Sequence, residues 1–203
     1  MRIAILGSGQ VGRALARGWT THGHDIRIGT RQEAVDDLPV GPPAEVVADA
    51  DLVVLAVQGA VAVDLVASLA AELAGRVVVD ATNPLEMSGG APTLFVGTTD
   101  SLGERVQRAA PGARVVKAYN TVGNALMVDP QLPGGPPTMF IAGDDAAAKG
   151  TVSALLAATG WDVADLGGIA ASRWLEAMCM TWVAYGATNG TWDHAFKLLR
   201  AGG

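Results

Sequence analysis

The chain opens on Arg2-Ile3-Ala4-Ile5-Leu6 and runs directly into Gly7-Ser8-Gly9-Gln10-Val11-Gly12. An apolar run of this length that ends in glycine reads as a strand covered on both faces. The next segment is helical, because Val11, Leu15 and Trp19 recur at i, i+4 and i+8, the spacing of one helix face. Strand, GxGxxG and helix in that order leave few folds open. The first glycine permits a tight turn, the second lets backbone approach a pyrophosphate, and the third lets the helix lie close on the strand. The helix N-terminus then presents free N–H groups to the phosphates. Gly7, Ser8, Gly9, Gln10, Val11 and Gly12 are therefore the expected diphosphate cradle of a dinucleotide.

The rest of the 203 residues keeps alternating. Asp25–Ile28, Leu52–Val57, Val77–Val79, Ala113–Ala118, Thr138–Ala142 and Trp161–Ala164 read as strands. Gly59–Leu73 and Leu102–Ala109 read as helices. Asp144 is the expected N-cap of a helix that Gly160 ends. Pro39–Pro43, Ser88–Pro92 and Pro133–Pro137 read as loops, since clustered proline and glycine break both periods. The stretch from about Ala170 to Arg200 is helical in character, with a break near Gly186–Gly190. Alternation of this kind predicts an α/β fold of the Rossmann type: a doubly wound, mostly parallel sheet with a small C-terminal helical extension. The expected division is 1–168 for the dinucleotide-binding domain and 169–203 for a helical region that contributes a dimer contact and a wall of the substrate pocket.

Composition narrows the function. Lys+Arg number 14 against 20 Asp+Glu, a net charge of −6, which argues against a general nucleic-acid binder. The single cysteine, Cys179, excludes a disulfide framework within one chain, and its place between Met178 and Met180 makes it core. No apolar run reaches membrane-spanning length. The N-terminal apolar stretch is too short for a signal peptide, so the expectation is a cytoplasmic protein without a membrane partner. No metal site is expected: His22 and His24 lack a nearby third ligand. His194, in Trp192-Asp193-His194, reads as the start of a helix capped by Asp193.

The tip of the second strand decides between dinucleotides. NAD-binding folds place an acid there for the ribose 2′-hydroxyl. Here the strand ends in Gly29-Thr30-Arg31. A hydroxyl and a guanidinium suit a 2′-phosphate, and Arg31 can also stack on adenine. Glu33, just beyond, is the one dissonant residue. NADP is the expected cofactor. Ligands bind outside the carboxyl ends of parallel strands. Ala56, Val57 and Gln58 are thus placed along the ribose, Asn83 by the nicotinamide, and Asn120, Thr121, Asn124 and Ala125 by the substrate. No GxSxG elbow is present, and no catalytic acid or base is assigned. Hydride transfer fits so sparse a set, because two stacked rings need positioning more than proton chemistry.

These residues resemble the F420-dependent NADP reductase family. The likeness rests on Ile3–Gly12, Ile28-Gly29-Thr30-Arg31, Val116–Thr121, Gly143-Asp144-Asp145 with Lys149, Asp165-Leu166-Gly167, Ser172–Glu176 and Phe196–Leu199. The resemblance implies a homodimer that exchanges hydride between nicotinamide C4 and C5 of the deazaflavin coenzyme F420. It also implies that the 2′-phosphate is met at Thr30 and Arg31, and the diphosphate at Ser8 to Val11. The deazaflavin would lie near Asn120 to Ala125 and the C-terminal helices. Asn120-Thr121 stands where archaeal-type members carry His-Thr. The same module resembles the cytosolic domain of metalloreductases.

The C-terminal stretch holds Trp174, Leu175, Met178, Cys179, Trp182, Val183 and Tyr185, too many apolar residues for one face. A second subunit is the expected cover. Arg173 and Glu176, three apart, are expected to pair on the helix, with Arg173 alternatively reaching an anionic deazaflavin. Two other functions stay open on these residues. One is an NADPH-dependent reductase of another small-molecule redox substrate (flavin, quinone, imine or ferric chelate). The other is a non-catalytic NADP-binding sensor.

Overall fold

A computed structural model describes residues 1–201; the last two residues of the expected 169–203 region lie outside the described residues. Eight strands form the main sheet: β1 (Arg2–Leu6), β2 (Asp25–Gly29), β3 (Val40–Gly41), β4 (Leu52–Leu55), β5 (Val77–Asp80), β8 (Arg114–Lys117), β9 (Thr138–Gly143) and β10 (Asp162–Asp165). A separate hairpin joins β6 (Leu85–Ser88) to β7 (Ala91–Leu94). The spatial order of the main sheet is β10-β9-β8-β5-β4-β1-β2-β3. All neighbours run parallel except β8 and β9, so the mostly parallel sheet is as expected. The exception has a simple cause. The segment from β8 to β9 carries one 3-10 turn, Asn124–Leu126, and no crossover helix, and a parallel return would need such a crossover.

Helices cover both faces, and each face has its own apolar core. On one face α1 (Gln10–Thr21) and α6 (Ala146–Ala158) bury Leu15, Trp19, Val152 and Leu156 against Ile3, Ile5, Val54 and Val79. On the other, α2 (Pro43–Ala48), α3 (Gly59–Ser68), α4 (Ala70–Leu73) and α5 (Leu102–Ala109) bury Val46, Val66, Leu73 and Val106 against Leu6, Val53, Leu55 and Val78. The central strands β4 and β5 are buried at every position, which is why they read as unbroken apolar runs. Each large apolar side chain so placed contributes about 1.5–3 kcal/mol.

Several local expectations need correction. The buried stripe of α1 is Gly12, Leu15, Ala16 and Trp19, while Val11 is only half-buried and borders the groove over the glycine motif. Asp145, not Asp144, caps α6: its carboxylate accepts the Ala148 N–H at 2.7 Å. Asp144 instead accepts the Ile169 N–H at 2.8 Å. The Gly59–Leu73 helix breaks at Leu69. Ser88–Pro92 is the tip of the β6–β7 hairpin, because Gly89 and Gly90 supply the two positive φ angles such a turn requires. Pro39–Pro43 holds the edge strand β3, and Pro43 opens α2, where its missing N–H costs nothing.

The C-terminal element α7 (Ser172–Asn189) is one unbroken helix that ends at Gly190 in the left-handed region. Residues 191–200 form no helix, so Asp193 caps nothing. The tail runs past β9 instead. The Thr138 N–H donates to the Phe196 carbonyl at 2.8 Å, and the Leu198 N–H donates to Thr138 Oγ1 at 3.0 Å. Competition from sheet-edge hydrogen bonds explains why the apolar spacing at 192–196 did not become helix. No helix among the described residues is long and apolar enough to cross a membrane.

Candidate functional site

β1 lies between β2 and β4, the point where a doubly wound sheet reverses its winding and opens a crevice. The glycine motif sits there. Gly7 has φ +122°, and a Cβ on it would run into the Ala56 carbonyl. A Cβ on Gly12 would strike the Gly7 carbonyl, so the third glycine sets how closely α1 lies on the turn. Gly9 differs: nothing lies within 4 Å of where its Cβ would be. That open space, at the uncapped N-terminus of a twelve-residue helix with no acid in its first turn, is where an anion gains most from the free amides.

The groove above the motif has a volume of about 890 Å³. Gly7, Ser8, Gly9, Gln10, Val11, Thr30, Arg31, Ala56 and Val57 all line it, so nine of the eleven expected cofactor residues converge on one cleft. Gly12 lies beneath it, and Asn83 lies on a separate loop. Gln58 lines it together with Ala56 and Val57. Sequence reasoning missed Pro43, Val61, Asp64, Leu65 and Ser68, which complete the walls. The α3 residues carried no motif, only a helix period. At the β2 tip Arg31 is exposed and forms no ion pair among the described residues. Glu33 is exposed and lines no part of the groove.

Gln10 also borders a second recess, of about 600 Å³, lined by Gly123, Asn124, Ala125, Trp182, Gly190, Thr191, Trp192 and Asp193. The two cavities are therefore neighbours across one side chain. The aromatic wall is built locally: Trp182 lies 5.3 Å from Trp192 and stacks on His194 at 4.8 Å, centroid to centroid. The Trp182 indole N–H donates to the His194 carbonyl at 2.9 Å. Trp192 packs over Gly186, where a Cβ would collide with its ring. Asn124 and Ala125 thus face a cavity, and Asp193 of the tail joins them there.

Asn83, Asn120 and Thr121 line neither cavity; they belong to a separate polar cluster. Thr82, Asn120 and Thr121 are buried. Asn83 Nδ2 donates to the Asn120 carbonyl at 2.8 Å, while Asn120 Nδ2 donates to Asn83 Oδ1 at 3.0 Å and to the Leu175 carbonyl at 2.9 Å. Tyr119, next to it, has φ 63°, a strained conformation for an aromatic residue. Beneath these, Lys117 Nζ lies 2.8 Å from Asp80 Oδ2 and 2.9 Å from Glu176 Oε1. Burial works to lower the Lys117 pKa; the two carboxylates more than offset it and hold the ammonium charged. The Asp80 contact is ionic, without an aligned hydrogen bond on Oδ2.

Glu176 is therefore not the partner of Arg173. It turns inward and accepts the Leu102 and Gly103 N–H groups at 2.9 Å each. Arg173 is held by Glu104 through two bonds of 2.8 and 2.6 Å and lines neither cavity. Three residues apart on a helix makes a pair possible, but α5 offers each side chain a better one. Cys179 is buried, and burial pushes its thiol up to about 11. No group of histidine, cysteine or acidic residues able to hold a metal occurs among the described residues.

A parallel sheet with a glycine cradle at its switch point defines a dinucleotide-binding protein of the Rossmann class. Residues 2–84 match the family model described as NADP oxidoreductase, coenzyme F420-dependent. A solved structure from Arthrobacter sp. FB24, of a proposed F420-dependent NADP reductase, is 40% identical with a TM-score of 0.92, covering 98% of this chain and 100% of that one. The chain belongs to this family of NADP oxidoreductases. It is also 31% identical to the metalloreductase STEAP3 of Rattus norvegicus over 87% of its own length, and it spans 36% of that protein. An imine reductase of Streptomyces aurantiacus, 15% identical with a TM-score of 0.68 over 93% of this chain and 63% of that one, shares the fold.

Proposed function

We propose that the protein transfers a hydride between C4 of the nicotinamide of NADP(H) and C5 of the deazaflavin ring of coenzyme F420. The observation that carries this is the shared wall at Gln10, which sets an aromatic recess directly against the dinucleotide groove. In this reading Ser8 to Val11 hold the diphosphate, Thr30 and Arg31 the 2′-phosphate, and Ala56 and Val57 the ribose. Asn83 frames the nicotinamide; Asn120, Thr121, Asn124 and Ala125 frame the acceptor, with Trp182 and Trp192 beside its ring. Arg173, committed to Glu104, holds α7 on α5. No acid or base is required, since hydride transfer between stacked rings depends on placement. A non-catalytic sensor has no need of the second recess.

The outer face of α7 supports a homodimer. Trp174 and Tyr185 are 60% and 53% exposed, Ala177, Thr181, Ala184 and Thr188 are exposed between and beyond them, and this face bears no charge. Aromatic residues on such a face are what an interface buries. We place the division of labour at 1–168 for the dinucleotide and 169–203 for the dimer contact and recess wall, in a cytoplasmic protein.

One observation favours a second acceptor class. The recess carries the carboxylate of Asp193 and, among the described residues, no cation, which suits an uncharged flavin, quinone or imine better than an anionic deazaflavin with its acidic tail. The test mixes purified protein with NADPH and F420 and follows the absorbance of both. Coupled changes support the first reading. Turnover with riboflavin, and none with F420, selects the second.

A further inference from the structure

We propose that Lys117 is a positioning residue for hydride transfer: it grips the backbone at Thr82 and so sets the Asn83–Asn120 pair against the nicotinamide. The inference rests on the proposal that the groove holds a dinucleotide. Its basis is the convergence on Thr82. Lys117 Nζ donates to the Thr82 carbonyl at 2.9 Å. Asp80 Oδ1 accepts both the Thr82 N–H, at 2.9 Å, and its hydroxyl, at 2.6 Å. Every polar group of Thr82 is thus taken by one of two charged side chains that are themselves fully buried and paired to each other. The next residue is Asn83, whose carbonyl is wedged against Gly59, where a Cβ would collide with it.

Stability alone does not account for this arrangement. A buried ion cluster costs several kcal/mol per ion in desolvation, and well-packed apolar residues of similar volume are often as stable or more so. What apolar residues could not do is hold a carbonyl, a hydroxyl and two helix amides in one register. Lys117 links the end of β8 to the Thr82 loop. Glu176 brings in α7, which also supplies Trp182 of the acceptor recess, and its carboxylate closes on the α5 N-terminus through Leu102 and Gly103. One ammonium thereby ties the nicotinamide side of the site to the acceptor side. Asn120 Oδ1, held in place by this loop, is buried and has no partner.

The test compares wild type with Lys117→Met, with the neutral triple variant Asp80→Asn/Lys117→Met/Glu176→Gln, which leaves no buried charge unpaired, and with the milder Thr82→Val. Near-UV circular dichroism checks folding. Two readouts are taken: NADPH affinity with the emission of its bound nicotinamide, and steady-state kinetics with the acceptor that turns over. The expected result is NADPH affinity within about 3-fold of wild type, nicotinamide emission displaced toward that of free NADPH, and kcat lowered about 100-fold, the scale of an ångström of misplacement. Thr82→Val should move both readouts the same way by a smaller factor. Folded variants that keep wild-type emission and kcat overturn the proposal alone. Wild-type protein that leaves NADPH emission unchanged overturns the dinucleotide reading and the proposal with it.

Discussion

Asn83 and Asn120, 37 residues apart, hold each other by reciprocal hydrogen bonds, side chain to backbone in one direction and side chain to side chain in the other. The pair joins the loops after β5 and β8. Asn120→Ala would leave Asn83 Oδ1 and the Leu175 carbonyl without their donors. Losing these two hydrogen bonds costs about 1–3 kcal/mol, at the usual 0.5–1.5 kcal/mol each. Urea denaturation should show a loss of that size, and kcat should fall at least as far as stability does. An unchanged midpoint would mean that water replaces the amide and the loops are not coupled.

Two glycines of the cradle should fail in different ways. Gly12→Ala places a Cβ against the Gly7 carbonyl, so α1 must move off the turn. The expected effect is a lower melting temperature and lost NADPH binding together. Gly9→Ala meets open space. It should melt within about 0.5 kcal/mol of wild type, the usual range for a change that disturbs no packing, while NADPH binding weakens because the methyl occupies the diphosphate's approach. Calorimetry of both variants against NADPH separates the two cases. Equal destabilisation by both would place the diphosphate elsewhere.

How much of this was legible in the chain depends on how local each signal is. The cradle was legible because glycine spacing, a preceding buried strand and a following helix lie within a few residues, and backbone sterics fix what they form. The sheet was legible because β1, β4 and β5 are buried on both faces and carry almost no polar residue to blur them. The Lys117 cluster was not, since Asp80, Lys117 and Glu176 are far apart in the chain and only the crossovers bring them together. The same blindness misdirected Arg173, whose partner Glu104 lies 69 residues away. The tail around His194 misled in the opposite sense: its spacing is locally helical, but the open edge at Thr138 takes its backbone hydrogen bonds.

The Arg173–Glu104 pair predicts an acid-side weakness. The guanidinium holds the Glu104 carboxyl below its ordinary range, and Ser101 adds to this. A carboxyl whose folded pKa is depressed stabilises the fold fully above its unfolded pKa and loses that stabilisation as pH falls through the folded value. Melting temperature should therefore drop below the ordinary glutamate range, near pH 4. Glu104→Gln should melt lower at neutral pH and show less of this slope. Arg173→Ala should do the same and leave acceptor KM unchanged; a rise in acceptor KM alone would return Arg173 to the acceptor site.

The bare face of α7 predicts an oligomer that charge can split. Trp174→Glu and Tyr185→Glu together place two carboxylates on each copy of an exposed, uncharged helix face. Buried in a symmetric contact, each would meet apolar surface or its own image. Sedimentation velocity should show a dimer for the wild type and a monomer for the double variant, with NADPH affinity preserved because neither residue lines the groove. A wild type that sediments as a monomer at working concentration would end the dimer proposal.

The proposed contact of Arg31 with the 2′-phosphate predicts a preference for NADP. At the β2 tip no carboxylate lines the groove; Thr30 and Arg31 do. A 2′-phosphate there would pair with an exposed guanidinium otherwise free of any ion pair among the described residues. Hydrogen bonds to charged groups are worth about 1.5–3 kcal/mol, so Arg31→Ala should weaken NADPH binding by roughly 10- to 150-fold. NADH binding should move little, since the ribose hydroxyl gives a guanidinium nothing comparable. The effect should also shrink as salt rises, because the contact is open to solvent. Arg31→Glu should go further and invert the preference by repelling the phosphate. Titration of both dinucleotides against the three proteins at two salt concentrations decides it. Parallel losses for NADH and NADPH would show that Arg31 serves the adenine, and that selection between the dinucleotides resides in another residue.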